Sequence, residues 1–238
     1  MKKKWKTGLG LVSLTLMIGA AGVTTLAADG LEVTQKNFYE LESMYSFGNA
    51  YLFAKVENTS SNVLALGTGK FVGFNQNDDI ILTNEYIGLG ISGFQLKPGE
   101  YTYVREYFFD SELSKDDVAD YRFSMETSKW GWGDTKTEKI SCEAEYSIEG
   151  SNFEKNYIDI SITNEKEEAV FGVYVSAAIL DEAGNILFVE EDALDTVGIG
   201  PQSTIIVRLP LENEILEYFE KKQIEPFDVD AVAYLCEF

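Results

Sequence analysis

Histidine is absent from the 238 residues of this sequence, and cysteine and proline are rare, with two and four residues. Without histidine the chain cannot form a Ser–His or Cys–His nucleophile pair, an imidazole general base or a histidine metal ligand. No serine is followed three residues later by lysine, and no glycine-rich phosphate loop stands between a strand and a helix. We therefore expect no catalytic, cofactor-binding or metal-ligating residues, although a pair of carboxylates acting alone stays open.

Long apolar runs are absent beyond the N-terminal region. Lysines at the N-terminus precede an apolar run over residues 8–21, and small residues follow, ending at Ala27. This pattern is typical of a secretory signal peptide over residues 1–27, cleaved near Ala27. No later run approaches the roughly 18 apolar residues of a membrane span. We predict a secreted, extracellular bacterial protein whose mature form is not inserted in a membrane.

Basic residues are scarce. The chain has 19 Lys and Arg against 40 Asp and Glu, a formal net charge of −21. Cleavage of the signal peptide removes four lysines and no acid, which leaves −25. Such a surface repels nucleic acids and anionic membranes, because proteins bind both through Lys and Arg. We expect no nucleic-acid partner, and the charge itself keeps an exported protein soluble.

One stretch occurs twice. Residues 51–81 and 157–187 align without a gap at an offset of 106, which places Asn58 on Asn164 and Asn75 on Asp181. Each copy shows the alternation and polar turns of successive strands, and turn signals recur every 8–12 residues, as in β-sandwiches. We predict an all-β chain with a first repeat over 28–127, a linker over 128–137 and a second repeat over 138–238.

Two local signals distinguish the repeats. Gly184 marks a sharp hairpin in the second repeat, where the first repeat has Asp78. Apolar residues at helical spacing over residues 211–222 predict a short amphipathic helix in the second repeat. In the closing strands, Cys236 aligns with Met125.

The turns carry a family resemblance. Residues 179–184 (Ile-Leu-Asp-Glu-Ala-Gly) and residues 96–100 (Leu-Lys-Pro-Gly-Glu) resemble the FxLYD-type and related immunoglobulin-like β-sandwich repeats of exported bacterial proteins. The resemblance implies two tandem immunoglobulin-like domains that act as an exported binding or spacer module. It brings no catalytic or ligand residues with it. The first repeat departs from the pattern at Asn75 and Asp78.

Four residues are candidates for a site or a bridge. Trp130 and Trp132 lie in the linker between glycines, where they can stack on a sugar or a protein partner, or fill the contact between the repeats. Cys142 and Cys236 lie in the first and last strands of the second repeat. They can form a disulfide, or remain two buried thiols.

Two acidic stretches are possible calcium sites, but an ordinary surface turn or loop is the preferred interpretation of each. Asn75, Asn77 and Asp79 imitate the start of a calcium loop, but Ile80 stands where that loop requires glycine. The acids at 190–192 and 195 are interpreted as part of a solvated loop.

Our hypothesis is an exported, non-catalytic binding or spacer protein whose partner is a protein or a cell-envelope glycan. A carbohydrate-directed hydrolase that uses carboxylates only, and a structural subunit of a surface assembly, are the alternatives.

Overall fold

A computed structural model of the chain describes residues 30–41, 48–110, 118–128, 135–149 and 155–237. The predicted signal peptide lies outside these described residues. Within them the fold is antiparallel β-structure with one α-helix, so the predicted all-β sandwich class is confirmed. No helix in the described ranges is long and apolar enough to cross a membrane.

The first repeat contributes seven strands. They are β1 (Leu31–Leu41), β2 (Gly48–Asn58), β3 (Leu64–Phe74), β4 (Ile80–Ile87), β5 (Gln95–Leu96), β6 (Tyr101–Asp110) and β7 (Asp120–Thr127). One sheet has the order β1-β2-β6. In the other, β3 pairs with β4, β5 and β7.

The second repeat contributes six strands and a helix. They are β8 (Lys136–Ser147), β9 (Tyr157–Asn164), β10 (Val170–Leu180), β11 (Ile186–Ile199), β12 (Ser203–Pro210), α1 (Asn213–Lys222) and β13 (Asp228–Glu237). The strands form one six-stranded sheet of order β11-β10-β13-β8-β9-β12. Strand β8 pairs with β13 along its first half and with β9 along its second half, so it joins the two layers.

The duplicated sequence folds into equivalent strands. The offset of 106 carries the bounds of β3 onto the bounds of β10. Lys55 of β2 pairs with Tyr103 of β6, and the equivalent Ser161 of β9 pairs with Ile206 of β12. Alternation places one face of each strand in a core, as at Ile158, Ile160 and Ile162 of β9, which are fully buried. The equivalent residues of β2, also fully buried, are Leu52, Ala54 and Val56.

The helix forms where the spacing predicts it. Ile215 and Phe219 are buried on one face, while Glu214 in the first turn and lysines in the last turn suit the helix dipole. The helix ends at Gln223, which takes the left-handed conformation. Phe219 packs against Tyr39 of β1, with ring centroids 6.0 Å apart, so the helix contacts the first repeat.

The two repeats share their hydrophobic cores. One core of the second repeat includes Phe53 and Tyr103 from the first. The core of the first repeat includes Tyr174 and Tyr234 from the second. The chain on either side of the predicted linker is therefore packed together, along a contact surface that we call the seam.

Candidate functional site

Tyrosines and one aspartate hold the seam together. Tyr101 and Tyr103 of β6 both donate hydrogen bonds to Asp230 of β13, at 2.7 and 2.6 Å. Tyr234 donates to the carbonyl of Tyr101 at 2.8 Å. Lys55 lies over the ring of Tyr101, with its Nζ 3.6 Å from the ring centroid. These half-buried hydrogen bonds fix the second repeat against β6, the edge strand of the first.

An ion-pair cluster stabilises a second part of the seam. Arg105 of β6 donates to both carboxylate oxygens of Glu190 in β11, at 2.6 and 2.7 Å, and also pairs with Glu212 before α1. Burial opposes the charge on Arg105, but Glu190 and Glu212 raise its pKa, so the guanidinium stays charged. Such bidentate geometry is characteristic of strong Arg–carboxylate pairs.

Glu191 lies beside this cluster without a cation of its own. Its carboxyl group accepts a hydrogen bond from the hydroxyl of Tyr174, which is fully buried in the seam. Burial raises the pKa of Glu191 to about 7 against the opposing hydrogen bond from Tyr174, and the neighbouring Glu190 adds to the rise. A carboxyl in this setting holds its proton more tightly than one in water.

The acids at 190–192 and 195, expected to form a solvated loop, lie in a strand instead, although Asp192 and Asp195 are exposed as expected. Glu190 and Glu191 belong to strand β11, where Glu190 is 9% exposed and packs against the first repeat. The sequence shows the acids but not their partner Arg105, which lies 85 residues away. The described residues contain no group of three or more acids or cysteines arranged to hold a metal ion.

An open groove of about 520 Å³ lies where β4 ends in the first repeat. It is lined by residues 66–68 of β3, by Tyr86 and residues 88–93, and by residues 126–128 at the end of β7. The 88–93 loop is attached to the core of the first repeat, because Ile87, Ile91 and Phe94 are buried there. The backbone amide of Leu66 donates to the carbonyl of Phe94 at 2.8 Å, which closes the loop against β3.

Glycine forms much of the loop. Gly93 takes a φ of 62°, a left-handed conformation that glycine adopts without a steric cost. Gly90 lies on the open side, where a Cβ atom would meet no heavy atom within 4 Å. The backbone is therefore open to solvent at Gly90, whereas Gly93 is buried.

Tyr86 stands on the rim of the groove and is 85% exposed. Its backbone amide donates to the side chain of Asn84 at 2.9 Å, which holds this end of β4 in place. Glu126 lines the opposite side and forms an ion pair with Lys70 at 2.8 Å. The rim therefore carries one large aromatic ring that faces solvent.

Aromatic side chains occupy the equivalent position of the second repeat. Thr68 of β3 corresponds to Tyr174 of β10, which pairs with Tyr234 of β13. In the first repeat, Glu126 of β7 follows Met125, the partner of Gly69. In the second repeat these two tyrosines pack on Phe94, with each ring centroid 5.0 Å away, and so fill the seam. The first repeat has a threonine and a glutamate there, which leaves the space open.

Sequence reasoning missed this groove, although a signal was present. The alignment offset falls from 106 at β4 to 103 at the turn before β6, so the first repeat carries three additional residues between them. Those residues lie in the stretch that contains Gly88, Gly90 and Gly93. In the second repeat the same stretch continues as the long strand β11.

The structure does not bring Cys142 and Cys236 together, and both are free thiols. Their strands β8 and β13 pair, but Cys236 lies opposite Thr137, while Cys142 lies against Ala231, five residues away along β13. Five residues of strand span about 17 Å. A disulfide requires Cα atoms within about 7 Å, so the register prevents the bridge.

Trp130 and Trp132 lie outside the described residues. Their nearest described neighbours along the chain are Ser128, which lines the groove, and Thr135. Thr135 donates to the carbonyls of Ser92 at 3.0 Å and Gly93 at 3.1 Å. Both described ends of the linker are therefore attached near the 88–93 loop.

No family model matches the chain, and neither does any curated protein sequence. Among solved structures, it is similar to the C-terminal globular domain of an oligosaccharyltransferase from Pyrococcus abyssi, with a TM-score of 0.21 and 10% sequence identity. The match covers 88% of this chain and 48% of that one, so the chain spans about half of that structure. A likeness at this TM-score carries no argument about function.

Proposed function

We propose that the chain is a secreted, non-catalytic binding protein that holds its ligand in the groove beside Tyr86. The groove itself carries the proposal, because it combines an open volume of about 520 Å³ with an aromatic ring that is 85% exposed. Binding sites for small ligands and cofactors typically measure about 300–1,000 Å³. The predicted signal peptide directs the protein to the cell envelope or the medium, where its protein or glycan partner is to be sought.

The carboxylates around the groove support binding rather than hydrolysis. Glu126 is the one carboxylate among its described lining residues, and it is paired with Lys70. Glycosidases that use carboxylates require two of them, about 5–10 Å apart on either side of the bond. A hydrolase would therefore need a second acid from outside the described lining of this groove.

The outer faces of the repeats support a binding protein over an assembly subunit. In the seam, the second repeat presents Tyr174 and Tyr234 to the first. The equivalent face of the first repeat presents Thr68 and the Lys70–Glu126 ion pair, which are polar. A second copy therefore does not meet on this face the aromatic contacts by which the two repeats dock on each other.

Co-sedimentation with washed cell envelopes of the source organism tests this proposal. Gly90→Leu fills the groove from a position with open space around it, so the fold is expected to tolerate it. Gly200→Leu is the matched control in the second repeat, where the added Cβ is 3.4 Å from the Ser203 hydroxyl.

Wild type and Gly200→Leu are expected to pellet saturably, while folded Gly90→Leu stays in the supernatant. Equal binding by Gly90→Leu would show that the groove is not the site. Wild type that fails to pellet, and binds no polymer of the medium, would contradict a binding function.

A further inference from the structure

The charges around the groove restrict the ligand. Its described lining residues include no lysine and no arginine, and the one acid, Glu126, is neutralised by Lys70. The mature chain as a whole carries a net charge of −25 once residues 1–27 are removed. This field repels phosphate-rich polymers, acidic peptides and nucleic acids. A cationic ligand meets only Glu126, which already pairs with Lys70, so the groove suits an uncharged ligand.

The polar groups of the lining are hydroxyls and backbone amides. Thr68 and Ser92 are exposed at its edge, and the exposed Gly90 leaves its backbone amide and carbonyl uncovered by a side chain. The carbonyls of Ser92 and Gly93 are already bonded to Thr135. Hydroxyls and amides both donate and accept hydrogen bonds without charge. They therefore match a ligand whose own polar groups are many neutral hydroxyls.

Tyr86 supplies the apolar part of the site. Its ring is exposed while its backbone is tied to Asn84, so stacking on it orders few additional groups. Tyrosine combines a flat apolar face with a polar hydroxyl. A sugar ring has the same combination, with an apolar face of C–H groups and a rim of hydroxyls.

The backbone around the groove disfavours an extended peptide. A peptide that adds to a sheet uses unpaired amides and carbonyls of an edge strand. Here the amide of Leu66 already donates to Phe94, and the carbonyl of Ala65 already accepts from Ser128 at 2.8 Å. Leu66 and Ile91 are 4% and 6% exposed, so they offer no open apolar pocket for a peptide side chain.

We infer that the groove binds an uncharged carbohydrate, with Tyr86 as the stacking platform and the hydroxyls of Thr68 and Ser92, together with the backbone at Gly90, as the hydrogen-bonding groups. This inference rests on the proposed function, and it names the ligand class of that same site. It assigns a specific role to the three additional residues of the first repeat: they end β4 early and expose the glycine backbone.

The test is competition for envelope binding by soluble carbohydrate. Protease-digested envelopes supply this carbohydrate, which anion exchange separates into neutral and anionic fractions. The neutral fraction is expected to displace wild-type protein. Tyr86→Ala is expected to lower the apparent affinity about tenfold or more, whereas Tyr86→Phe keeps the ring and binds nearly as wild type. Ile206→Ala removes an apolar residue that is 65% exposed in the second repeat, and it serves as the control.

The outcomes separate the two claims. Displacement only by envelope protein overturns the carbohydrate class, and displacement only by the anionic fraction overturns the uncharged character of the ligand. Either result leaves the groove as a binding site. Tyr86→Ala that binds like wild type overturns the stacking role. Gly90→Leu that binds like wild type overturns the groove, and with it both claims.

Discussion

Two buried asparagines perform the same task in the two repeats. Asn58 donates to the carbonyls of Asn62 and Leu96, each at 2.7 Å. The equivalent Asn164 donates to three carbonyls, among them that of Ile199 at 3.1 Å. Each side-chain amide therefore joins the turn that follows its own strand, β2 or β9, to the segment that precedes the strand paired with it, β6 or β12. The sequence alignment placed these residues together, but only the structure shows their partners.

Asn58→Ala and Asn164→Ala are each expected to lower the free energy of unfolding by about 2–3 kcal/mol, because buried carbonyls lose their donor. Urea denaturation measures this change. Asn62→Ala, at an exposed position, is the control and should cost less than about 0.5 kcal/mol. Losses of that small size at Asn58 and Asn164 would contradict their structural role.

The hairpin turns are also equivalent. The side-chain Oδ1 of Asn75 accepts from the amides of Asn77 and Asp79, at 2.9 and 3.0 Å. Asp181 makes the same pair of contacts in the second repeat. The stretch that imitates a calcium loop is therefore a turn closed by its own backbone.

Asp78→Gly is expected to raise the free energy of unfolding by up to about 1 kcal/mol. Asp78 has a φ of 63°, and the equivalent Gly184 has a φ of 81°. A side chain in this left-handed region costs about 1 kcal/mol that glycine avoids. Gly184→Asp should cost a similar amount. Equal thermal stability of Gly184→Asp and wild type would contradict the argument.

Glu191 makes the seam sensitive to pH. Its folded pKa of about 7 lies above the value of about 4.3 for an unfolded chain. Between these values the folded protein keeps a proton that the unfolded chain loses. The contribution of Glu191 to stability is therefore full below about pH 4.3 and declines as the pH rises to about 7.

Glu191→Gln is expected to remove this decline. The variant should gain stability relative to wild type as the pH rises from 4.5 to 7.5, by an amount on the order of 2 kcal/mol. Unfolding curves at several pH values measure the difference. A difference that does not vary with pH would show that Glu191 is not protonated in the seam at pH 5–6.

At the scale of elements, the break between β4 and β5 creates the candidate site. Strand β11 of the second repeat runs for 14 residues, whereas β4 stops at Ile87 after eight. Periodicity predicted the strands and the helix well, because alternation and helical spacing reflect burial on one face. Periodicity could not predict the groove, because the groove forms where side chains are small or missing. Such positions leave no periodic pattern of apolar residues.

The closing strands show a second limit of alignment. Phe71 pairs with Phe123, and the equivalent Ala177 pairs with Ala231. Phe123 therefore corresponds to Ala231, and the alignment of Met125 with Cys236 is wrong by three residues. Cys236 is buried because it faces the seam, not because it repeats a core position of the first repeat.

At the scale of the molecule, the seam joins the repeats into one body. Its contacts join residues more than 70 positions apart, such as Thr102 and Ser176, whose hydroxyls are 3.1 Å apart. A sequence gives no direct sign of such pairs, which is why the linker suggested two separate sandwiches. The shared cores instead predict cooperative behaviour.

We expect a single unfolding transition for the whole mature protein, by fluorescence and by calorimetry. The double variant Arg105→Gln, Asp230→Asn removes the ion pairs and weakens the tyrosine bonds of the seam. It should separate the transition into two or lower its midpoint by several degrees. Two transitions in the wild type would show that the repeats are independent.

Hydrogen–deuterium exchange of the protein without residues 1–27, with and without saturating soluble envelope extract, locates the ligand on the surface. We predict that the extract protects backbone amides over residues 86–93 and 126–128, with no change over Ser203–Pro210. Protection confined to another surface, or no protection by an extract that binds the protein, would contradict the groove as the binding site.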